Sequence, residues 1–141
     1  MVRFVLAAAF GILGGLGLFT AALSEAPSYL FDAPETCVNC HVMRLEYSTW
    51  QHSSHQAVAV CNDCHVPHDS IARKYLFKAM DGTRHAAIFS FGTVPEVIRI
   101  RAESRDTVQE NCVRCHDQKI ADTHTDGGKS CFDCHVETRH R

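Results

Sequence analysis

Residues 37–43 read Cys-Val-Asn-Cys-His-Val-Met, with two residues between the cysteines and a histidine directly after the second. This C-x-x-C-H spacing attaches c-type haem: both thiols bond to the porphyrin, and the histidine is an axial ligand of the iron. The pattern occurs four times and uses all eight cysteines. Its members are Cys37, Cys40 and His41; Cys61, Cys64 and His65; Cys112, Cys115 and His116; and Cys131, Cys134 and His135. The sequence therefore predicts four covalently bound haem c groups.

Two other uses of paired cysteines have to be weighed. A zinc ribbon uses two such pairs as the four ligands of one metal ion, but this leaves the four histidines unexplained. An even number of cysteines in an exported domain usually forms disulfides. Disulfides, however, give no reason for a histidine to follow the second cysteine in every copy. The repeated histidine therefore favours haem over both alternatives.

The size and charge of the chain limit its fold and its partners. With 141 residues, 21% of them charged, it has room for one domain that buries little apolar side-chain surface. We therefore expect a mainly α fold with much irregular loop, in which the haems form the core. A net charge of −2 argues against nucleic acid as a partner, because phosphate binding needs a concentrated basic surface.

The N-terminus contains an apolar segment of membrane length. Residues from Phe4 to Leu23 carry no charge, and at ~1.5 Å per residue such a helix spans ~30 Å, one hydrocarbon core. The alternative is a signal peptide cleaved near Ser24, but the apolar region of a cleaved signal is usually only ~7–15 residues long. We expect a transmembrane anchor at residues 1–24, a linker at 25–35 and a tetrahaem domain at 36–141.

Two observations predict the orientation of this anchor. Arg3 is the only charged side chain before the apolar segment, and the positive-inside tendency keeps that end cytoplasmic. Covalent haem attachment in bacteria takes place outside the cytoplasmic membrane. The sequence therefore predicts a single-pass protein of the cytoplasmic (inner) membrane, with its N-terminus inside and its haem domain in the periplasm.

Residues 66–111, between the second and third motifs, predict further helices. Asp69 or Ser70 can cap a helix that runs toward Ser90. Its apolar side chains recur near helical period on one side, with basic side chains on another: Ile71, Tyr75, Leu76 and Met80 against Arg73, Lys74 and Lys78. This pattern is typical of a helix in a membrane interface, or of an ordinary helix packed on a haem face. We also expect a short helix at residues 95–101 and another from about Arg105 into Cys112.

Four irons need up to eight axial ligands, and the motifs supply four histidines. The remaining histidines are therefore candidate ligands, together with two methionine thioethers. They are His52, His55, His68, His85, His124 and His140, with Met43 and Met80.

These residues together resemble a known family, the membrane-anchored tetrahaem cytochromes c of the NapC/NirT type, and within it the small subunits of cytochrome c nitrite reductase. The resemblance covers essentially the whole chain, because one anchor helix precedes four C-x-x-C-H motifs. Its more specific parts are residues 37–43, Cys-Asn-Asp-Cys-His-Val-Pro-His at 61–68, Phe-Lys-Ala-Met-Asp-Gly-Thr-Arg at 77–84, and His140 five residues after the last motif.

The resemblance implies specific ligands for three haems. It gives Met43 the role of ligand to haem 1 in place of His41, and His140 that of distal ligand to haem 2. It implies that a histidine shortly before the second motif serves haem 3, and this histidine is His55, with His52 as the alternative. For haem 4 the distal ligand is either His124 or a lysine of the partner subunit.

The resemblance also implies a quinol site beside haem 1. It implies that Lys78 lies in this site, and we expect Arg84 to be a second hydrogen-bond donor to the quinol. His85 occupies the position where the family pattern has an aspartate over haem 1, and it is either an iron ligand or the acceptor of quinol protons. Asp81 is a further candidate for proton release.

The predicted function follows from that site. The chain is expected to oxidise menaquinol from the membrane pool and to pass electrons to a periplasmic pentahaem nitrite reductase that forms ammonia, as one subunit of a hetero-oligomer. Two alternatives remain open at this stage. In one, the electrons go to a nitrate reductase or another periplasmic reductase. In the other, the chain is an electron relay and anchor without a quinol site of its own.

Overall fold

The computed structural model of the chain describes residues 1–120 and 130–135. All regular structure within these ranges is helical, which confirms the prediction of a mainly α fold. The α-helices are α1 (Val2–Leu23), α2 (Glu35–Val38), α3 (Arg44–Gln51), α4 (Cys61–His65), α5 (Ile71–Ser90), α6 (Ala102–Ile120) and α7 (Cys131–Cys134). Two 3₁₀ turns connect the first three helices: Ala26–Leu30 lies between α1 and α2, and His41–Met43 lies between α2 and α3.

Helix α1 stands apart from the rest of the chain. It is the one helix in the described residues that is long and apolar enough to cross a membrane, and it has no buried residue. Its large side chains are exposed, with Phe4 at 82% and Leu18 at 76%. Since such surface is costly to leave in water, this helix needs a partner outside the domain. Ser24 ends it, and the linker follows.

The described residues have almost no apolar core of their own. Val66 and Phe132 are the buried hydrophobic side chains, at 6% and 9% exposure, and Pro67 beside Val66 is fully buried. A chain of this length ordinarily buries most of the surface that its unfolded state exposes. The missing apolar interior is what we expect of a domain that folds around large prosthetic groups.

Helix α5 begins where its sequence predicts. The Ser70 Oγ accepts a hydrogen bond from the Arg73 N–H at 3.2 Å and so caps the first turn. The helix ends at Ser90, and Gly92 follows with a φ of +63°, a left-handed conformation that glycine adopts without strain.

The prediction of a short helix at residues 95–101 is wrong. The chain is irregular there, and the next helix, α6, begins at Ala102. Val97, Ile98 and Ile100 have β-branched side chains that disfavour a helix, and the segment is too short to overcome this by tertiary packing. Helix α6 then continues without a break through the whole third motif.

The second motif is packed against the third through helices α4 and α6. Asn111 of α6 is 5% exposed and donates to the backbone oxygens of Cys64 and Val66 at 2.9 and 2.8 Å. Arg114, one turn further on, donates to the Asp63 backbone oxygen at 3.1 Å. These side chains satisfy carbonyl groups that the short helix α4 leaves without partners, and they fix the two motifs side by side.

Candidate functional site

The second, third and fourth motifs have both cysteines in a helix, whereas in the first motif α2 ends at Val38 and Cys40 is extended. The helices α2, α4, α6 and α7 contain or adjoin the paired cysteines, and residues three positions apart on a helix face the same side. In the second and fourth motifs an aspartate completes the turn: Asp63 accepts from the Val60 N–H at 2.9 Å, and Asp133 accepts from the Ser130 N–H at 2.8 Å. The two thiols of the second, third and fourth motifs are thereby directed to one side, as attachment to a single porphyrin requires.

The first and second motifs lie in contact through their leading cysteines. The Cys61 thiol is hydrogen-bonded to the Cys37 thiol, and this bond, together with burial, raises the pKa of Cys61 above its ordinary value. The first two haem attachment sites therefore lie next to each other.

The later motifs are also neighbours of one another. Burial raises the pKa of Cys64, and the neighbouring charges of Asp63 and Cys115 raise it further. Burial also raises the pKa of Cys112 to about 11, with contributions from nearby Cys131 and Cys64. The second motif is therefore close to the third, and the third is close to the fourth. The motifs follow one another in space in the same order as in the sequence.

The thiols do not support the two alternatives to haem. All eight cysteines are free, and none forms a disulfide. Within residues 1–120 and 130–135, no group of three or more His, Cys, Asp or Glu side chains converges as a metal site would require. Each motif instead contributes two thiols and the histidine that follows them, and this donor set suits haem.

The rings of His55 and His116 test the fit to haem more directly. Their centres are 6.2 Å apart and their planes are perpendicular, at 89°. An imidazole nitrogen binds a metal ion at ~2.0–2.1 Å and lies ~1.1 Å from its ring centre, so two rings on opposite sides of one ion are ~6.2–6.4 Å apart. The spacing is also that of an edge-to-face ring pair, and it would leave room for one iron between the two imidazoles, which would then hold it. His52, the alternative, instead holds its ring against the Ser48 backbone oxygen at 2.7 Å.

The residues predicted around haem 1 lie near helix α5. The His41 ring is 6.1 Å from the Phe89 ring, centre to centre. Met43 is half-buried at the end of a 3₁₀ turn, whereas His41 is exposed. His65 is half-buried and His135 is exposed. The two distal-ligand candidates nearest the C-terminus, His124 and His140, lie outside the described residues.

Lys78 is held by the linker that follows the membrane-length helix. Its Nζ donates to the Phe31 backbone oxygen at 2.7 Å and to Asp32 Oδ1 at 3.1 Å. Only 12% of the Lys78 side chain is exposed. This contact joins α5 to the linker, so the lysine predicted to bind quinol lies close to the point where the domain leaves helix α1.

Two further predicted quinol-site residues, Asp81 and His85, lie one turn apart on α5 and contact each other. Asp81 Oδ2 is 3.5 Å from His85 Nε2, and Asp81 Oδ1 is 3.6 Å from Arg101 Nη1. Arg101 is also paired with Glu103 at the start of α6. Arg84 lines a cavity of about 380 Å³ between the two helices. Its lining residues are Phe77, Met80, Asp81, Arg84, Arg101, Glu103 and Ser104.

Lys78 and Arg84 therefore do not meet in the structure. Residues six positions apart on a helix of 3.6 residues per turn point in different directions. Lys78 contacts the linker, and Arg84 faces the cavity. Two residues that the sequence analysis missed, Asp32 and Arg101, contact predicted site residues. In the sequence their charge was the only sign of a functional role, because each lies in an irregular segment without a motif.

Comparison with known proteins agrees with this arrangement. The model of the NapC/NirT cytochrome c family, N-terminal region, matches residues 1–141. The chain is 36% identical to the cytochrome c-type protein NrfH of Wolinella succinogenes, over 93% of this chain and 81% of that protein. It is 32% identical to the cytochrome c nitrite reductase subunit NrfH of Nitratidesulfovibrio vulgaris, over 92% and 82%. Identity to the cytochrome c-type protein NapC of Escherichia coli is 23%, over 93% and 78%.

A solved structure has the same fold. It is the crystal structure of the cytochrome c nitrite reductase NrfHA complex bound to the HQNO inhibitor. One chain of that complex superposes on 96% of this chain with a TM-score of 0.72 and 31% identity, and 90% of the solved chain is covered. The likeness therefore extends over nearly the whole of both chains.

Proposed function

The chain belongs to the NapC/NirT cytochrome c family, and we propose that it is the membrane-anchored quinol dehydrogenase subunit of a cytochrome c nitrite reductase. The observation that carries this proposal is the fold match over 96% of the chain to a subunit of the NrfHA complex. Identity to the two NrfH proteins, at 36% and 32%, exceeds the 23% identity to NapC. This difference favours a nitrite reductase over a nitrate reductase as the partner.

The four motifs would hold four haem c groups, with the eight cysteines as attachment points and the motif histidines beside the irons. Haem c supplies, when bound, an iron centre that takes up or gives one electron at a time. For haem 3, the spacing of His55 and His116 supports these two imidazoles as the axial pair. Met43 remains the proposed ligand of haem 1 and His140 that of haem 2. For haem 4 the proposed ligand is either His124 or a lysine of the partner subunit; both histidines lie outside the described residues.

The proposed reaction is the oxidation of menaquinol to menaquinone, which releases two electrons and two protons. The electrons pass to the partner reductase. Lys78 has three N–H donors, two of which are directed at Phe31 and Asp32, so one is left for a quinol oxygen. His85, whose imidazole lies beside Asp81, is the proposed acceptor of a quinol proton. Both quinol protons would leave in turn through His85 or Asp81 to the periplasmic side.

Helix α1 is the proposed membrane anchor. Its length and apolar surface support this role, and Arg3 together with the haem attachment sites favours a cytoplasmic N-terminus. The short linker would keep Lys78 near the bilayer surface, where a membrane-soluble quinol can reach it. The partner would be a periplasmic pentahaem subunit that reduces nitrite to ammonia, joined to this chain in a hetero-oligomer.

The proposal is tested by adding menaquinol anaerobically to the purified protein in detergent, without its partner, and following the haem absorbance. We expect the haems to become reduced, and Lys78→Ala to slow this reduction while the haem content stays the same. Lys119→Ala, which removes an exposed lysine on α6, is the matched control and should behave like the wild type.

Two results would count against parts of the proposal. If menaquinol does not reduce the wild-type haems although dithionite does, the chain has no quinol site and acts as a relay or anchor. If the wild type is reduced and Lys78→Ala is reduced equally fast, quinol is oxidised without Lys78, and the site lies elsewhere on the chain.

A further inference from the structure

Asp32 joins three parts of the chain that are far apart in sequence. It lies in the linker, and its Oδ1 accepts a hydrogen bond from Asn62 of the second haem motif at 2.7 Å. The same carboxylate is paired with Lys74 and Lys78 of helix α5. The linker, one haem site and the helix that carries the candidate quinol lysine are thus fixed to a single side chain.

The carboxylate is firmly ionised in this setting. Burial opposes the charge on Asp32, but hydrogen bonds from Lys74, Asn62 and Lys78 outweigh burial and hold the pKa of this carboxyl well below its ordinary value. Asp32 is therefore a negative charge at any physiological pH. It carries one negative charge against two ammonium groups, so this corner of the site keeps a net positive charge.

The contacts leave Lys78 with little freedom. A lysine side chain has four flexible bonds, and its ammonium is ordinarily mobile and hydrated. Among residues 1–120 and 130–135 the ammonium has two acceptors, the side chain is 12% exposed, and the Tyr75 ring centre is 5.9 Å from Nζ. Tyr75 is itself held to the linker, because its hydroxyl donates to the Leu30 backbone oxygen at 3.4 Å.

We propose that Asp32 is a positioning residue for quinol oxidation, which acts by fixing the Lys78 ammonium so that its one remaining N–H is presented to a quinol oxygen. This inference rests on the proposed function, in which Lys78 binds quinol. Asp32 does not touch the quinol. Asp32 holds Lys78 in the binding geometry before the quinol arrives. Quinol binding therefore does not lose the conformational entropy of ordering the lysine side chain.

If Asp32 acts through Lys78, variants of the two residues should have related effects on the KM for menaquinol. Asp32→Asn keeps the side-chain shape but removes the charge, and it should raise the KM for menaquinol about tenfold, the scale of one charge-assisted hydrogen bond, with a smaller change in kcat. Lys78→Ala should raise KM by at least as much. In the double variant the two effects should not multiply, because Asp32 acts only through Lys78.

Asp69→Asn is the matched control. This aspartate lies just before α5, is 54% exposed and pairs with Arg73 of that helix at 3.1 Å. Asp69 has no contact with Asp32, Lys74 or Lys78 among the ion pairs of this helix, so Asp69→Asn should leave KM unchanged. Haem content and the oxidised spectrum are measured for every variant. In case Asp32→Asn assembles poorly, Asp32→Glu is tested as well: it keeps the charge, displaces it by one methylene, and should raise KM with haem content unchanged.

The outcomes separate this inference from the function on which it rests. If Lys78→Ala raises KM while Asp32→Asn and Asp32→Glu do not, Asp32 has no positioning role, although the quinol site stands. If the effects of Asp32→Asn and Lys78→Ala multiply in the double variant, the carboxylate does not act through the lysine, and the inference is overturned. If menaquinol reduces no haem in the wild type, the proposed function fails and this inference fails with it.

Discussion

The rings of His55 and His116 lie 6.2 Å apart, centre to centre, and perpendicular to each other, although the whole of helix α5 lies between them in the sequence. This relationship is the strongest sign in the structure of how a haem would be held. It predicts that His55→Ala converts one low-spin haem to a high-spin haem and changes its reduction potential, because one of two imidazole ligands is lost. Electron paramagnetic resonance of the oxidised protein measures the spin state.

His52→Ala is the control for this variant. The His52 ring is bound to the Ser48 backbone oxygen at 2.7 Å, at the end of α3, and its removal should leave every haem in its wild-type spin state. If His52→Ala produced the high-spin signal and His55→Ala did not, the assignment of His55 to haem 3 would be wrong.

A second prediction concerns His85, which the sequence left as either an iron ligand or a proton acceptor. Its side chain is 63% exposed and its Nε2 lies 3.5 Å from Asp81, which favours the proton acceptor. We expect one high-spin haem in the wild type, and His85→Ala should keep that signal while it slows menaquinol oxidation. Four low-spin haems in the wild type, with one lost in His85→Ala, would show that His85 binds iron.

A third prediction concerns stability. Asn111 is 5% exposed and satisfies the backbone oxygens of Cys64 and Val66. Asn111→Ala leaves two carbonyl groups without their donor and should cost about 2–3 kcal/mol of stability, at about 1 kcal/mol or more for each lost bond. The drop in Tm of the haem-loaded protein measures this cost. Asn39→Ala, at an exposed asparagine whose bond to Ser28 is 3.4 Å long, should change Tm much less.

The contribution of Asp32 to stability should depend on pH in a defined direction. Its pKa in the folded state lies below the ordinary value of 3.8, so the unfolded chain takes up the proton first as the pH falls. The stabilisation is complete at neutral pH, declines as the pH falls below about 4, and is lost at the lower folded-state pKa. Because the carboxylate is 40% exposed, solvent screening limits the effect to on the order of 1 kcal/mol.

This dependence is measured by comparing the denaturant midpoints of the wild type and Asp32→Asn at pH 7, 5, 4 and 3. The wild type should be the more stable at pH 7 and 5, and the difference should shrink from pH 4 to pH 3. A difference that stays constant down to pH 3 would show that Asp32 does not stabilise the fold as a charged group.

The sequence predicted the features that depend on local spacing. Four C-x-x-C-H motifs indicate four attachment sites, because the thiols and the histidine have to be close in the chain to serve one haem. Ser70 predicted the start of α5, since a capping side chain bonds to the N–H only three residues later. The uncharged run of membrane length from Phe4 to Leu23 predicted helix α1.

The features that the sequence could not predict join distant parts of the chain. Asp32 and Lys78 meet only when the linker folds onto α5, and Arg101, at the end of an irregular segment, contacts Asp81 twenty residues before it. Helical periodicity placed Lys78 and Arg84 on one amphipathic helix. It could not tell that each would contact a different neighbour, since that depends on where the linker and α6 lie.

The central claim is that all eight thiols hold four haems, in the order in which the motifs follow one another along the chain. Mass spectrometry of the mature protein under denaturing conditions, after treatment with a thiol-alkylating reagent, tests it most directly. The account predicts one species that exceeds the polypeptide by the mass of four haems, with no alkylated cysteine. A chain that carries fewer than four haems, with the cysteines of any motif alkylated or joined in a disulfide, would contradict it.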